Sequence, residues 1–389
     1  MYQISIRIQC NSFRHEVKCI NIQIITPSVS PGGLYRVAIE EAKFLGRMGH
    51  DVKLVSLIRP VNPWNELLQG ISVEYLADFR GPTPFISEML NRNLFLVKKI
   101  TSDTDNIFIC HNLPSCYSVM RSIKVQNGSR IIAYIHDPIE FTLAGNIFHV
   151  FFRSASLKKL FAMRWLRDAD VILVNSRRSQ RILAKKLGLN SRVLYPTLAS
   201  FANKVPLSHR EKFFLSVGRV GSHPTYKILL HIVKRIPEME LVIAGSWSHS
   251  AKNIVELFSS DSDINRRVKF IVNPTDEELA RLYRSARAFL YPGVENFNMS
   301  ALEAASHGCP IVVSSESGIC EILGESVVMP VQHDVESFVR LVLELLKDER
   351  HAITEGLRIR DILNSYKLSY HMENLRDIIE QLPGQTSPK

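Results

Sequence analysis

Long apolar runs are missing from this chain of 389 residues. No stretch approaches the ~20 consecutive apolar residues that cross a bilayer, which argues against a helical membrane span. The segment Met1–Cys10 alternates polar and apolar residues and carries no apolar block, so no signal peptide is expected there. Cysteine is sparse: Cys10, Cys19, Cys110, Cys116, Cys309 and Cys320 are scattered and show no Cys-x2-Cys spacing. They read as thiols of a reducing cytoplasm, not as a disulfide framework or a zinc site. There is no G-x-G-x-x-G fingerprint and no acidic residue closing the second apolar run, which argues against a nicotinamide dinucleotide. Neither a repeat of 20–50 residues nor a low-complexity tract occurs, which excludes solenoids and propellers.

What is present is ordinary globular composition, 46% hydrophobic, long enough for two domains with a core each. The net charge of +10 is uneven. Between Phe151 and Arg192 eleven Lys/Arg face only Asp168 and Asp170, a local excess of +9. Such a block attracts polyanions. Ile147–Leu166 mixes Phe148, Val150, Phe151, Phe152, Leu157, Leu160, Phe161, Trp165 and Leu166 with the first of the cations, in the manner of a helix lying on a membrane, so an anionic membrane surface is an expected partner of residues 147–192. A core helix with a solvated basic face fits the same residues. No recognised nucleic-acid-binding motif accompanies the charge, and no nucleic-acid partner is expected.

Along the chain, short apolar runs alternate with helical patterns. Strands are predicted at Asn21–Thr26, Asp51–Leu57, Asn106–Cys110, Arg130–Ile135 and Val171–Val174, with a helix over Leu34–Met48 that ends at Gly49. Periodicity lapses around Thr197–Lys212. A second set follows: strands at Phe213–Val217, Glu240–Ala244, Val268–Val272, Arg287–Tyr291 and Pro310–Val313, and helices at Lys227–Ile236, Glu277–Ser285, Val335–Leu346 and Glu355–Gln381. This alternation predicts parallel α/β layers. The expected organisation is an N-terminal extension (1–20), a first doubly wound domain (21–202), a second (203–370), and a C-terminal helix and tail (371–389) that returns to the first domain. Ligands are expected at the carboxyl ends of the strands, in the cleft between the domains.

The densest chemistry lies at Tyr291–Ala304 (YPGVENFNMSALEA), where Glu295 and Glu303 stand eight positions apart, one in a loop and one in a helix. A strand, a loop and the helix N-terminus formed by Asn298, Met299 and Ser300 make an anion site, because unpaired N–H groups point out of it. A carboxylate nearby can hold the hydroxyls of the sugar carrying the phosphate. Arg219, after the strand Phe213–Val217, and Lys227, at the next helix start, can clamp a diphosphate from two sides without a metal. Pro31-Gly32-Gly33 lets backbone approach a ligand closely. His136 follows a strand, with Asp137 beside it to orient it, and His111-Asn112 follows another. Asp103-Thr104-Asp105 and Asp261-Ser262-Asp263 have the D-x-D spacing of some metal sites but sit in polar linkers, where turn residues are expected.

Leu290-Tyr291-Pro292 through Ile322, with Glu295-x7-Glu303-Ala304 and Gly308-Cys309-Pro310-Ile311-Val312, resembles family four of the retaining glycosyltransferases. Phe214–Arg219, Leu241–Gly245, Val174-Asn175-Ser176 and Val193–Pro196 extend the likeness over about Asn21–Leu382. The resemblance implies the GT-B fold, two Rossmann-like domains with doubly wound parallel sheets facing a central cleft. It implies Glu295 and His136 as catalytic residues at the donor sugar. Donor binding falls to Gly33, Arg219, Lys227, Asn298, Met299, Ser300 and Glu303, the last on the ribose. Transfer would be front-face and retaining, without a metal or other cofactor. The donor would be a GDP-, UDP- or ADP-type sugar carrying a mannose- or glucose-type hexose, and the acceptor a glycan or glycolipid. The expected location is cytoplasmic, peripheral at the inner membrane face. Two departures stand out: Asn296 and Asn298 replace glycines common in the family, and the Arg219-to-Lys227 spacing is longer than usual. A nucleotide-sugar epimerase of the same fold, or a silent nucleotide-sugar-binding homologue, are the alternatives.

Overall fold

The computed structural model describes residues 19–30, 32–57, 59–60, 64–76, 106–112, 129–136, 166–167, 169–198, 210–221, 225–247, 251–324, 335–366 and 368–382. Residues 1–18, Asp103-Thr104-Asp105, Asp137, the stretch 147–165 and most of the expected linker lie outside them.

The first domain runs β1 (Asn21–Thr26), α1 (Gly33–Arg47), β2 (Asp51–Ser56), β3 (Val73–Tyr75), β4 (Asn106–His111), β5 (Arg130–Ile135), β6 (Val171–Val174), α2 (Arg177–Leu187) and β7 (Arg192–Val193). The second runs β8 (Phe213–Val217), α3 (Thr225–Arg235), β9 (Glu240–Gly245), α4 (Ala251–Ser259), α5 (Ser262–Arg267), β10 (Val268–Val272), α6 (Asp276–Ser285), β11 (Ala288–Tyr291), α7 (Met299–Ser306), β12 (Ile311–Val313), α8 (Cys320–Leu323), α9 (Val335–Lys347), α10 (Glu349–Ser365) and α11 (Leu368–Glu380). The sheets have the orders β3-β2-β1-β4-β5-β6-β7 and β10-β9-β8-β11-β12. Each pairing is parallel, from β1 with β2 to β8 with β9. Strand order therefore reverses between β1 and β4 and between β8 and β11, and crevices open at the carboxyl ends of those strands.

The central strands are apolar on both faces because helices cover both. β4 is buried throughout, and so is β8. The short strands β3 and β7 were not anticipated; with three and two residues they sit at sheet edges and carry no usable periodicity. The single helix expected over Glu355–Gln381 is broken. The Thr197 hydroxyl donates to the Tyr366 carbonyl at 3.1 Å, and Tyr366 leaves helical geometry (φ −99°, ψ 55°). α11 thereby turns onto the first domain, where Leu375, Ile378, Ile379 and Leu382 pack with Ile22, Val37, Ala38 and Leu45. Asp261, from a D-x-D triplet, caps α5 by accepting the N–H groups of Asp263 and Ile264. Cys110, Cys309 and Cys320 are buried free thiols, whereas Cys19 is exposed. Among the described residues no helix is long and apolar enough to cross a membrane.

Two glycines bring the loops of the second domain together. Gly218 N–H donates to the Ala244 carbonyl at 3.1 Å, and a Cβ on Gly245 (φ +146°) would lie 1.8 Å from the Gly218 oxygen. Gly245→Ala must therefore push the β8 and β9 ends apart, at a cost on the order of 2–3 kcal/mol. The thermal midpoint should fall by roughly 5 °C or more; an unchanged melt would show that the loops do not meet this closely.

Candidate active site

β11 delivers its chain into a loop whose shape is fixed from outside. The Glu295 carbonyl accepts the Gly318 N–H at 3.2 Å, and the Phe297 carbonyl accepts that of Ile319 at 2.8 Å. Gly318 leaves no room for a side chain, since a Cβ there would sit 1.9 Å from the Asn296 oxygen. On this loop the Tyr291 hydroxyl donates to Glu295 Oε1 at 2.6 Å. Asn298 adopts left-handed geometry (φ 75°, ψ 77°) and its carboxamide oxygen caps the Ala301 N–H at 3.0 Å. The N–H groups of Met299 and Ser300 are left at the start of α7 without an acceptor among the described residues. One turn further, Glu303 Oε2 accepts the Tyr283 hydroxyl at 3.0 Å, while Arg36 Nε from α1 stands 3.9 Å from Oε1. Burial raises the Glu303 pKa, against the Arg36 charge and the Tyr283 hydrogen bond. Arg36 also pairs with Asp276 at 2.7 Å and lies 4.6 Å above the Trp64 ring.

Across the cleft His136 follows β5 and is 8% exposed. Its carbonyl accepts the carboxamides of Asn175 (2.8 Å) and, from the opposite domain, Asn296 (3.1 Å). Asn296 in turn receives Arg178 Nη1 at 3.3 Å. Asn298 therefore adopts a positive φ that favours glycine, whereas Asn296 uses its side chain to join the domains. His136 Nε2 meets His111 Nδ1 at 3.0 Å, and His111 Nε2 meets Glu41 Oε2 at 3.0 Å. The other Glu41 oxygen meets His371 Nε2 of α11 at 2.9 Å. Burial alone would raise the Glu41 pKa; the charges and hydrogen bonds of His111 and His371 outweigh it and bring it down to about 2. The His136 pKa is held well below the usual histidine value, first by burial and then by His111.

Gly33 opens α1 directly against Met299, whose Cγ would lie 2.7 Å from a Cβ at that position. The Gly32-Gly33 turn and the start of α7 thus face each other across the cleft. Arg219 and Lys227 are exposed at the ends of β8 and α3, with no side-chain partner among the described residues. Glu321 of α8 closes the far side, accepting the N–H groups of Arg177 (2.7 Å) and Arg178 (2.8 Å) at the start of α2 and the Tyr195 hydroxyl (2.9 Å).

Matches to known proteins decide the lineage. A family model described as Glycosyltransferase Family 4 matches residues 31–197, and one described as Glycosyl transferases group 1 matches residues 200–359. Together they take in most of the chain. The protein belongs to the group 1 glycosyltransferases of GT-B fold. The mouse alpha-1,3/1,6-mannosyltransferase ALG2 is 23% identical over 354 residues, 79% of this chain and 83% of that protein. The ALG2 of Eremothecium gossypii is 23% identical over 78% of this chain and 70% of its own length. Among solved structures, sucrose-phosphate synthase from Thermosynechococcus elongatus superposes with a TM-score of 0.75 at 17% identity, covering 93% of this chain and 99% of that one. Anabaena HepE, solved in complex with UDP and glucose, gives 0.75 at 15% identity, covering 93% and 100%.

In this glycosyltransferase the structure gathers Gly33, His136, Glu295, Asn298, Met299, Ser300 and Glu303 on the facing surfaces of the two domains, while Arg219 follows β8 and Lys227 lies in the first turn of α3. It adds Arg36, Glu41, Glu321 and His371, which sequence reasoning missed. Glu41 had a signal: a carboxylate sharing the buried helix face of Val37, Ala38 and Leu45. His371 had none, because its partners lie 330 and 176 positions away. Asn298→Ala loses a cap and retains a strained φ, a cost of about 2 kcal/mol, whereas Asn298→Gly relieves the strain and should cost only a few tenths. Thermal midpoints should rank native, glycine, alanine; an alanine variant as stable as the glycine one would remove the left-handed cap from the account.

Proposed function

We propose that the protein is a retaining hexosyltransferase, moving a mannose- or glucose-type unit from a nucleotide-diphosphate sugar to a glycan or lipid-linked acceptor without a metal ion. The observation that carries this reading is the single loop-helix unit bearing Glu295, the open N–H groups of Met299 and Ser300, and Glu303, set against Gly33 and His136. Anionic and hydroxyl-bearing groups find complementary partners there in the order a nucleotide sugar presents them. The name of the ALG2 relatives and the UDP and glucose bound to HepE support the same substrate class.

In this reading Glu303 accepts the ribose hydroxyls, and the α7 terminus with Arg219 and Lys227 takes the diphosphate. Glu295 and His136 contact the sugar. The bond from the anomeric carbon to the phosphate oxygen breaks, and the acceptor oxygen bonds to that carbon on the same face. The acceptor proton passes to the departing phosphate oxygen. Negative charge grows on the diphosphate as this happens, so fixed cations and N–H dipoles accelerate departure by stabilising it. The two cations thereby fill the role a metal plays in other transferases.

A panel of nucleotide diphosphates and their sugars should raise the melting temperature for one nucleotide family, undiminished by EDTA; at ~100 times the dissociation constant the gain is about 2.7 kcal/mol. Glu295→Ala should keep the fold and lose transfer by at least about 10²-fold. Full activity in that variant would sink the role of Glu295. Conversion of the donor with no acceptor present would favour an epimerase, and binding without turnover a silent homologue.

The exposed Arg181, Lys185 and Lys186 of α2, with Leu183 and Leu187 buried beneath, support a peripheral location on an anionic membrane for the basic block. At about 1 kcal/mol per charge, replacing all three with glutamine should weaken co-sedimentation with phosphatidylserine vesicles by roughly a hundredfold at low salt. Undiminished binding would refute a membrane role for this helix.

A further inference from the structure

α1 and α7 begin against each other, and their register decides what lies one turn in. A Cβ on Gly33 would stand 2.7 Å from Met299 Cγ, so the two first turns touch. Residues three and four positions on share a helix face with those starting points. Arg36 is the third after Gly33, and Glu303 the fourth after Met299. Arg36 Nε stands 3.9 Å from Glu303 Oε1, too far for a hydrogen bond but close for two charges whose side chains are only 18% and 21% exposed. Each partner is also held from another side. Asp276, at the start of α6, accepts Arg36 Nη2–H at 2.7 Å, and the guanidinium lies 4.6 Å from the centre of the Trp64 ring. The Tyr283 hydroxyl of α6 donates to Glu303 Oε2 at 3.0 Å. Burial raises the Glu303 pKa; Arg36 and then the Tyr283 hydroxyl lower it, and Asp276 raises it again. His307, on the same helix, has Nδ1 2.9 Å from the Glu303 carbonyl; burial lowers its pKa against that carbonyl, and Arg284 of α6 lowers it further, so it adds no charge near neutral pH. α10, β11 and β12 contribute Ile359, Leu363, Phe289 and Val313 to the apolar core beneath α7.

We propose that Arg36 is a positioning residue: from the first domain it holds the Glu303 carboxylate as the acceptor of the ribose hydroxyls, so that the second domain grips a nucleotide fully only with the first domain closed against it. The ribose role rests on the nucleotide-sugar reading above; the pairing of the two charges does not. Arg36 stays off the nucleotide itself. Its Nη2 is on Asp276, and its Nε is withdrawn from solvent with no hydrogen-bond acceptor among the described residues, so it acts through Glu303. Asp276 lies on the same domain as Glu303 and Arg36 on the other. Separating the domains therefore takes away the attracting charge and leaves the repelling one.

Carbon-13 spectra of glutamate-labelled protein, with Glu303→Gln as the assignment control, follow the Glu303 carboxyl through pH. Arg36→Met removes an attraction for the ionised form, so protonation sets in earlier as pH falls and the midpoint should move to higher pH. Asp276→Asn removes a repulsion while its carboxamide oxygen still accepts from Arg36, so the midpoint should move to lower pH. Loss of packing alone would not move the two in opposite directions. Midpoints unchanged, or shifted the same way, would overturn the proposal. If Arg36→Met fails to fold, Arg36→Gln, whose NH₂ can still donate to Asp276, takes its place with the same shift expected. Binding of UDP, GDP and ADP, and of the 2′,3′-dideoxy counterpart of whichever binds most tightly, then separates ribose from phosphate. At the native midpoint Arg36→Met should weaken the ribonucleotide at least about threefold, as follows from removing a unit charge ~4 Å away. It should leave the dideoxy nucleotide unchanged. An equal loss for both would place Arg36 on the phosphates or in the fold and overturn the proposal. No binding of any of the three, with the midpoints moving as expected, would instead sink the nucleotide-sugar reading and leave the pairing of Arg36 with Glu303 standing.

Discussion

A carboxylate taken out of water must find donors, and Glu41 finds them on two segments far away in the chain. His111 stands at the end of β4 and His371 near the start of α11. With both present the buried charge is matched; removing either strands it. This requirement, together with the apolar side of α11, brings the C-terminal helix back onto the domain in which the chain began. The same carboxylate reaches the cleft through His111 and His136, so the stability of the crossover and the chemistry of one cleft wall share a single buried network.

The opposite wall is set by close approach. Gly33 against Met299, Gly245 against Gly218 and Gly318 against Asn296 are places where backbone or a neighbouring side chain fills the space a Cβ would occupy. The first and third bring the Gly32-Gly33 turn and the Gly318 segment against the loop and helix start that carry Glu295 and Glu303, and the second closes the β8 and β9 ends on each other. Asn296 and Glu321 then tie this wall to His136 and to the start of α2. Apolar contacts accompany these ties: Met299 packs against the core of the first domain, and Tyr195 against that of the second, its ring 6.2 Å from Phe297.

Much of the fold is legible in the residues. β1, β5, β6, β8 and β10 begin and end where the apolar runs do, since buried parallel strands leave uninterrupted apolar segments between turn residues. The site was legible where chemistry is local: Glu295, Asn298 and Glu303 lie within nine positions, and the spacing places them on one loop and one helix. It was not legible where the partner is remote. Nothing near Glu303 in sequence announces Tyr283 or Arg36, and nothing near His136 announces Glu41. Asp137, adjacent to His136 and expected to orient it, lies outside the described residues, whereas the His111 contact to the ring's Nε2 comes from a strand 25 positions away.

By itself the sequence determined the two α/β sets, the strand-loop-helix unit with its paired carboxylates, the cations at the strand ends and the family to which they belong. These follow from periodicity and from motifs within a few residues, which local geometry fixes. Tertiary structure alone decided the break at Tyr366, the return of α11, the Asn296 bridge and the chain of contacts from His371 through Glu41 and His111 to His136. Each depends on which groups become neighbours once water is excluded, and a buried charge or donor is satisfied by whatever folding brings within 3 Å or so, regardless of distance along the chain.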